Sequence, residues 1–94
     1  MKEFEGKKVL ITGASQGIGR ATAVKFAENR AKIFINYSRN DEMARDTLKL
    51  VEKAGGYGEI VKADLGNVDE VKAMWTKVMG DGKALSALVL NAAY

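Results

Sequence analysis

Hydrophobic and polar positions along this chain follow two rhythms that take turns. Short, almost unbroken runs of branched and aromatic residues occur at Lys7-Lys8-Val9-Leu10-Ile11, Lys32-Ile33-Phe34-Ile35-Asn36-Tyr37, Gly58-Glu59-Ile60-Val61-Lys62-Ala63 and from Ala84 to Leu90. Each has the length and composition of a strand, and the last is nearly uniform in apolar character, as a buried parallel strand is. Between them apolar residues recur at three- and four-residue spacing, the period of a helix with one buried face. Ile18, Ala21, Ala23, Val24, Phe26 and Ala27 predict a largely apolar first helix that runs to about Arg30, with a break at Asn29. Met43, Ala44, Thr47, Leu48, Val51 and Ala54 predict a second, started by the polar turn Ser38-Arg39-Asn40-Asp41 and ended by Gly55-Gly56. Val68, Val71, Met74, Trp75, Val78 and Met79 predict a third. Asn67 and Glu70 are placed as a capping box at its start, and Gly80-Asp81-Gly82 stops it.

The order is βαβαβαβ, without repeat, linker or proline. Strands alternating with amphipathic helices imply a parallel sheet with right-handed crossovers. For half of a doubly wound α/β fold the spatial order is 3-2-1-4, and the reversal between the first and fourth strands marks a ligand crevice. The first strand leads into that crevice through Thr12-Gly13-Ala14-Ser15-Gln16-Gly17-Ile18-Gly19. A strand-to-helix elbow of this kind offers free backbone N–H groups and a partial positive charge to a phosphate, and glycines let the anion approach without meeting a Cβ.

Composition narrows the chemistry. At 94 residues the chain holds one modest core, with 47% hydrophobic and 29% charged residues, so a single unit spanning 1–94 is expected. No apolar run approaches the roughly 20 residues needed to cross a bilayer, and Met1-Lys2-Glu3-Phe4-Glu5 is not the start of a secretion signal, so a cytoplasmic protein without membrane contact is expected. There is no Cys and no His, which removes thiolate and imidazole chemistry and leaves no expected metal site. The net charge of +3 is spread along the chain, which suits a small polyanionic ligand better than a nucleic acid.

The glycine spacing 13, 17, 19 differs from the G-x-G-x-x-G fingerprint and from the Gly-Lys-Ser/Thr phosphate loop. Here the sequence closely resembles the short-chain dehydrogenase/reductase family, whose Thr-Gly-x-x-x-Gly-x-Gly signature is matched by Thr12, Gly13, Gly17 and Gly19. The wording of the turn is most similar to the classical reductases, including the 3-oxoacyl-acyl-carrier-protein reductases, and the resemblance runs over the whole chain. It implies the N-terminal half of a Rossmann-type domain, with a nicotinamide dinucleotide as the ligand. By the same resemblance Gly13, Ser15, Gln16, Gly17, Ile18 and Gly19 form the pyrophosphate and ribose cradle, while Thr12 holds the turn.

The end of the second strand sets which dinucleotide is used, because an acid there accepts from a ribose 2′-hydroxyl and an Arg neutralises a 2′-phosphate. Tyr37-Ser38-Arg39 is followed by no acid until Asp41, so NADP(H) is expected over NAD(H), although Gln16 stands where NADP(H)-using relatives often carry a basic residue. Arg39 as a solvated loop charge is the plain alternative. Asp64 and Leu65 resemble the family's Asp-Val/Leu pair that meets adenine; the other reading makes Asp64 a helix cap. Arg20 is either a surface charge or a phosphate ligand. Asn91, Ala92 and Ala93 fall where the family has Asn-Ala-Gly beside the nicotinamide ribose, with Leu90 and Ala93 departing from its pattern.

Family catalysis uses a Ser and a Tyr-x-x-x-Lys pair, and neither Tyr37 nor Tyr57 has a Lys four positions on. No catalytic residue is therefore assigned. The expectation is part of a longer oxidoreductase acting on a carbonyl or alcohol, a 3-oxoacyl thioester among the candidates, with weak or no nucleotide binding and no turnover by this chain alone. The fourth strand is expected to be an apolar sheet edge, through which, or through the third-helix face, the chain forms a homodimer. The rival expectation is a non-catalytic α/β half-fold that self-associates without a physiological ligand.

Overall fold

The computed structural model describes residues 4–91. The elements are β1 (Lys8–Ile11), α1 (Gly17–Glu28), β2 (Lys32–Tyr37), α2 (Asp41–Lys53), β3 (Tyr57–Lys62), α3 (Val68–Val78) and β4 (Leu85–Val89). All pairings are parallel, and the sheet order is β3-β2-β1-β4. Each strand and helix is therefore found where the hydrophobic rhythm puts it, with ends displaced by a residue or two.

Two layers of apolar side chains lie on the two faces of this sheet, because successive strand residues point to opposite sides. On one face Val9, Ile11, Ile33 and Ile35 meet Ala23 and Ala27 of α1 and Val51 of α2. The alanines keep α1 close to the strands. On the other face Leu10, Phe34 and Val61 meet Met74 and Val78 of α3. With a helix behind each face, β1 and β2 bury both, which is why their sequences read as continuous apolar runs.

β4 is the apolar sheet edge expected of it, and its uniformly apolar residues are not uniformly buried. Leu85, Ala87 and Val89 are half-buried, whereas Ser86, Leu88 and Leu90 are exposed, the last two at 43% and 73%. The reason is topological: β4 is a sheet edge, and α3 covers Leu85 at its start but not Leu88 farther along. An apolar sequence shows what a strand can bury, not what the described residues provide to bury it.

The helix ends contain two further departures. Asn67 Oδ1 accepts from Glu70 N at 3.1 Å, as a cap should. The Glu70 carboxylate does not return the bond to Asn67, however, and accepts instead from Asp64 N at 3.0 Å, because Asn67 N already donates to Asp64 O. At the end of α1, Arg30 takes a left-handed φ of 62° where a glycine is usual. Its N–H donates to Ala27 O at 2.9 Å and closes the helix.

Candidate functional site

The three helices do not treat their N-termini alike. α2 begins with Asn40, whose side chain accepts from Met43 N, and has Asp41 and Glu42 in its first turn. α3 begins with Asn67 capping Glu70 N and has Asp69 and Glu70 there. Each has its orphan N–H groups and positive dipole end partly answered from within. α1 begins at Gln16, which makes no side-chain cap, and its first turn holds no acid. Its donors are left to whatever occupies the space in front of it.

That space is a crevice of about 720 Å³ lined by the turn residues Gly13, Ser15, Gln16, Gly17 and Ile18, by Tyr37, Ser38 and Arg39 after β2, and by Asn40 and Met43 of α2. Asn91 also lines it. A second hollow of about 390 Å³ adjoins it, sharing Gly13, Tyr37, Ser38 and Asn91 and adding Asp64, Leu65 and Leu90. Gly17 has φ +60° and nothing within 4 Å of where a Cβ would stand, so its α-carbon faces open space. Gly13 has the same φ but is closed in, its missing Cβ lying 2.5 Å from Asn91 O. Gly19 is buried, and a Cβ there would collide with Gly13 O. Ile18 is 77% exposed at the helix start, an apolar lip on the crevice.

The turn keeps this shape through side chains from neighbouring strand ends. Thr12 Oγ1 accepts from Asn91 N at 2.9 Å, Thr12 N donates to Val89 O, and Asn91 Nδ2 donates to Gly13 O at 3.1 Å. These bonds fasten β1 to β4 at the mouth of the crevice, so Thr12 is the structural hydrogen-bonder expected of it. Asn36 makes the matching knot on the other side: Nδ2 donates to Val61 O and Ala63 O, both at 3.2 Å, while Oδ1 faces Gly13 N and its own carbonyl accepts from Ala14 N at 2.9 Å. Buried at the centre of the sheet's upper end, Asn36 ties β3 to the glycine turn. Its only mark in the sequence is to be a polar residue in a largely apolar strand, which by itself does not point to this role.

Charge at the mouth is arranged unevenly. Arg39 lines the crevice, exposed. Asp41, the nearest acid in sequence, has Oδ1 shielded from solvent and 3.3 Å from Lys62 Nζ at the end of β3. The Tyr37 hydroxyl and the Lys62 ammonium hold the Asp41 carboxyl below the usual carboxylate range. Burial, with that carboxylate beside it, pushes the Tyr37 phenol up, so it stays a protonated donor. In the second hollow Asp64 Oδ1 accepts from Gly66 N at 2.9 Å and shapes the loop, while Asn67 caps α3; Asp64 is therefore a turn-former, not the helix cap.

Arg20 is neither of the two things expected of it. Its guanidinium turns away from the crevice mouth and lies between α1 and α2, bonded to Ser15 O, Met43 O and Thr47 Oγ1. Of the residues singled out in the sequence, the structure brings Gly13, Ser15, Gln16, Gly17, Ile18, Tyr37, Ser38, Arg39, Asp64, Leu65 and Asn91 around the two hollows, with Gly19 packed behind the turn. Ala92 and Ala93 lie outside the described residues. No group of three or more Asp or Glu able to hold a metal ion occurs among the described residues, and no described helix is long and apolar enough to cross a membrane.

A parallel 3-2-1-4 sheet with an open glycine elbow at its reversal point defines a dinucleotide-binding class of α/β protein. The family model for short-chain dehydrogenases matches residues 7–94, and the chain belongs to that family. It is 42% identical over 91 residues to a glucose 1-dehydrogenase of Gluconobacter oxydans, covering 97% of this chain and 34% of that protein. A 3beta-hydroxysteroid dehydrogenase of Mediterraneibacter gnavus is 38% identical over 92 residues, covering 98% and 33%. The chain thus spans about a third of the length of these relatives. Among solved structures, a promiscuous reductase that catalyses keto-reduction at C1 during lugdunomycin biosynthesis superposes with a TM-score of 0.90 at 36% identity, over 100% of this chain and 41% of that one. An NADH-dependent reductase complexed with NAD gives 0.88 at 28% identity, over 99% and 38%.

Proposed function

We propose that this chain is the NADP(H)-holding portion of a cytoplasmic short-chain oxidoreductase, whose whole protein moves hydride to or from a carbonyl or alcohol, with a 3-oxoacyl thioester among the candidate substrates. One observation carries the reading: α1 alone of the three helices has an uncapped, acid-free N-terminus, and it opens on the crevice beside Gly17. The N–H groups of Gln16, Gly17 and Ile18 would hold the pyrophosphate, with Gly13 and Ser15 shaping the approach. Arg39 and Ser38 would take the 2′-phosphate, and Tyr37, Asp64 and Leu65 the adenosine. Asn91, with Ala92 and Ala93 beyond it, would face the nicotinamide ribose. When bound, the cofactor supplies the hydride chemistry.

NADP(H) is favoured by what has happened to Asp41. The first acid after β2 is turned toward Lys62 and Tyr37, so it is not offered to a ribose 2′-hydroxyl and its charge is offset where a phosphate would come. Arg39 is left as the charged side chain at the rim. The test is an NMR titration of the 94-residue chain with NADPH, NADH and 2′,5′-ADP into the millimolar range. We expect weak saturable binding of NADPH and 2′,5′-ADP, weaker binding of NADH, and in Arg39→Ala a loss of about tenfold for NADPH and 2′,5′-ADP with NADH unchanged, the scale of one charge-assisted hydrogen bond. Absence of saturable shifts with all three ligands would rule the reading out. No consumption of NADPH with a ketone is expected from this chain by itself.

A second reading has its own observation. Leu88 and Leu90 stand exposed on β4, whose outer edge is unpaired among the described residues. A half-fold that only self-associates would use that edge, and so would a nucleotide-binding one. We expect a homodimer by light scattering at high micromolar concentration, reverting to monomer in Leu88→Lys; a monodisperse wild-type monomer would contradict it.

A further inference from the structure

Arg20 has no contact with the nucleotide in this reading, yet its guanidinium joins the two walls that would enclose it. From the first turn of α1, Nη2 donates to Ser15 O at 2.7 Å and to Met43 O at 2.9 Å, and Nε donates to Thr47 Oγ1 at 2.9 Å. Ser15 and Met43 lie on opposite sides of the crevice, one on the turn and one on α2. The Thr47 hydroxyl is wholly buried and 3.2 Å from both of the same carbonyls. It accepts from Arg20 and has one proton to give to either carbonyl. Only a planar fork meets three acceptors placed this way; a Lys ammonium offers no such rigid edge. Every acceptor is neutral, and among the described residues no carboxylate pairs with Arg20, so the positive charge behind the turn is not cancelled.

The carbonyl of Ser15 belongs to the same peptide as the N–H of Gln16. A trans peptide holds these two groups in opposite directions, so fixing one fixes the other. Gln16 N–H has no acceptor among the described residues, and Gln16 lines the crevice. We propose that Arg20 is a positioning residue of the phosphate turn: by clamping the Ser15 carbonyl it presents the Gln16 N–H to a bound pyrophosphate, and through Met43 and Thr47 it sets the distance between the turn and α2.

This rests on the nucleotide reading, and the experiment separates the two. Wild type, Arg20→Lys and Thr47→Val are titrated by NMR with 2′,5′-ADP, which carries a 5′-phosphate for the turn, and with 2′-AMP, which does not. Thermal midpoints are measured alongside. Arg20→Lys keeps the charge and loses the fork; we expect about a tenfold loss for 2′,5′-ADP, 2′-AMP held within about twofold, and a folded protein. Thr47→Val should show the same bias with a smaller loss, and it decides the matter if Arg20→Lys does not fold. An unchanged ratio of the two affinities in both folded variants overturns the positioning role alone. Failure of the wild type to bind 2′,5′-ADP overturns the nucleotide reading and this role together.

Discussion

Gly13, Gly17 and Gly19 stand within one short turn for three separate reasons. Gly13 needs both its left-handed φ and its lack of a Cβ, Gly17 needs the φ but has open space above it, and Gly19 has an ordinary φ but no room. The spacing of glycines in the sequence marks the turn without telling these apart. Distinct outcomes follow. Gly19→Ala drives a methyl into the Gly13 carbonyl and should cost about 1–3 kcal/mol of stability, as overpacking does, read as a lower urea midpoint. Gly17→Ala should cost roughly 1–2 kcal/mol from backbone strain and abolish detectable 2′,5′-ADP binding. Gly17→Asn, which tolerates left-handed angles, should recover part of that stability and none of the binding. Wild-type affinity in Gly17→Asn would show that the space over Gly17 is not used by the ligand.

At the scale of elements, the contrast among helix N-termini is a trade of stability for function. Asn40 and Asn67 are the residues that capping chemistry calls for, and both are legible in sequence as polar positions just before an apolar period. Gln16 lies outside the preferred capping set, and the structure shows it without a side-chain cap. Supplying the cap should reverse the trade. Gln16→Asp is expected to raise stability by about 1 kcal/mol, measured as an increased thermal midpoint. The same carboxylate would occupy the donors meant for a phosphate, so nucleotide affinity should fall even as the protein becomes more stable. A variant that gains both would mean that α1's N-terminus is not where the anion sits. Half of the capping box at α3 forms: spacing places Glu70 near Asn67, but which donor the Glu70 carboxylate serves depends on the β3–α3 loop, where Asp64 N donates to it.

Across the whole molecule, the sheet is held at its lower end by a bond between residues far apart in sequence. Lys8, buried at the start of β1, gives all three of its protons: to Val78 O at 2.6 Å, Asp81 Oδ1 at 2.6 Å and Lys83 O at 3.0 Å. It thereby fastens β1 to the α3–β4 connection. The bond from Lys8, helped by Lys83 N, lowers the Asp81 pKa from 3.8 to about 2. Because the folded-state value is the lower one, the pair's contribution is present above the ordinary carboxylate range and lost as pH falls through about 2. Stability should therefore decline between pH 4 and 2 in part through this group. Asp81→Asn should be less stable than wild type at neutral pH and show a shallower decline over that window, measured by urea unfolding at each pH. Equal slopes in the two proteins would mean that Asp81 is not a contributor.

The 3-2-1-4 order follows only for a doubly wound half-fold and is shown by the strand pairing, whereas the sequence by itself determined the element order and the place of the glycine elbow. These depend on local rules: a period of about two or 3.6 residues, β-branched runs, glycines and caps, all read within a few positions. The tertiary structure alone decided the partners of Arg20, Asn36, Lys8 and Asp41, and how much of β4 is covered. Each of those side chains settles on carbonyls or charges left unanswered where distant strand and helix ends converge. Which groups are unanswered there depends on the docking of whole elements, so no local spacing encodes it.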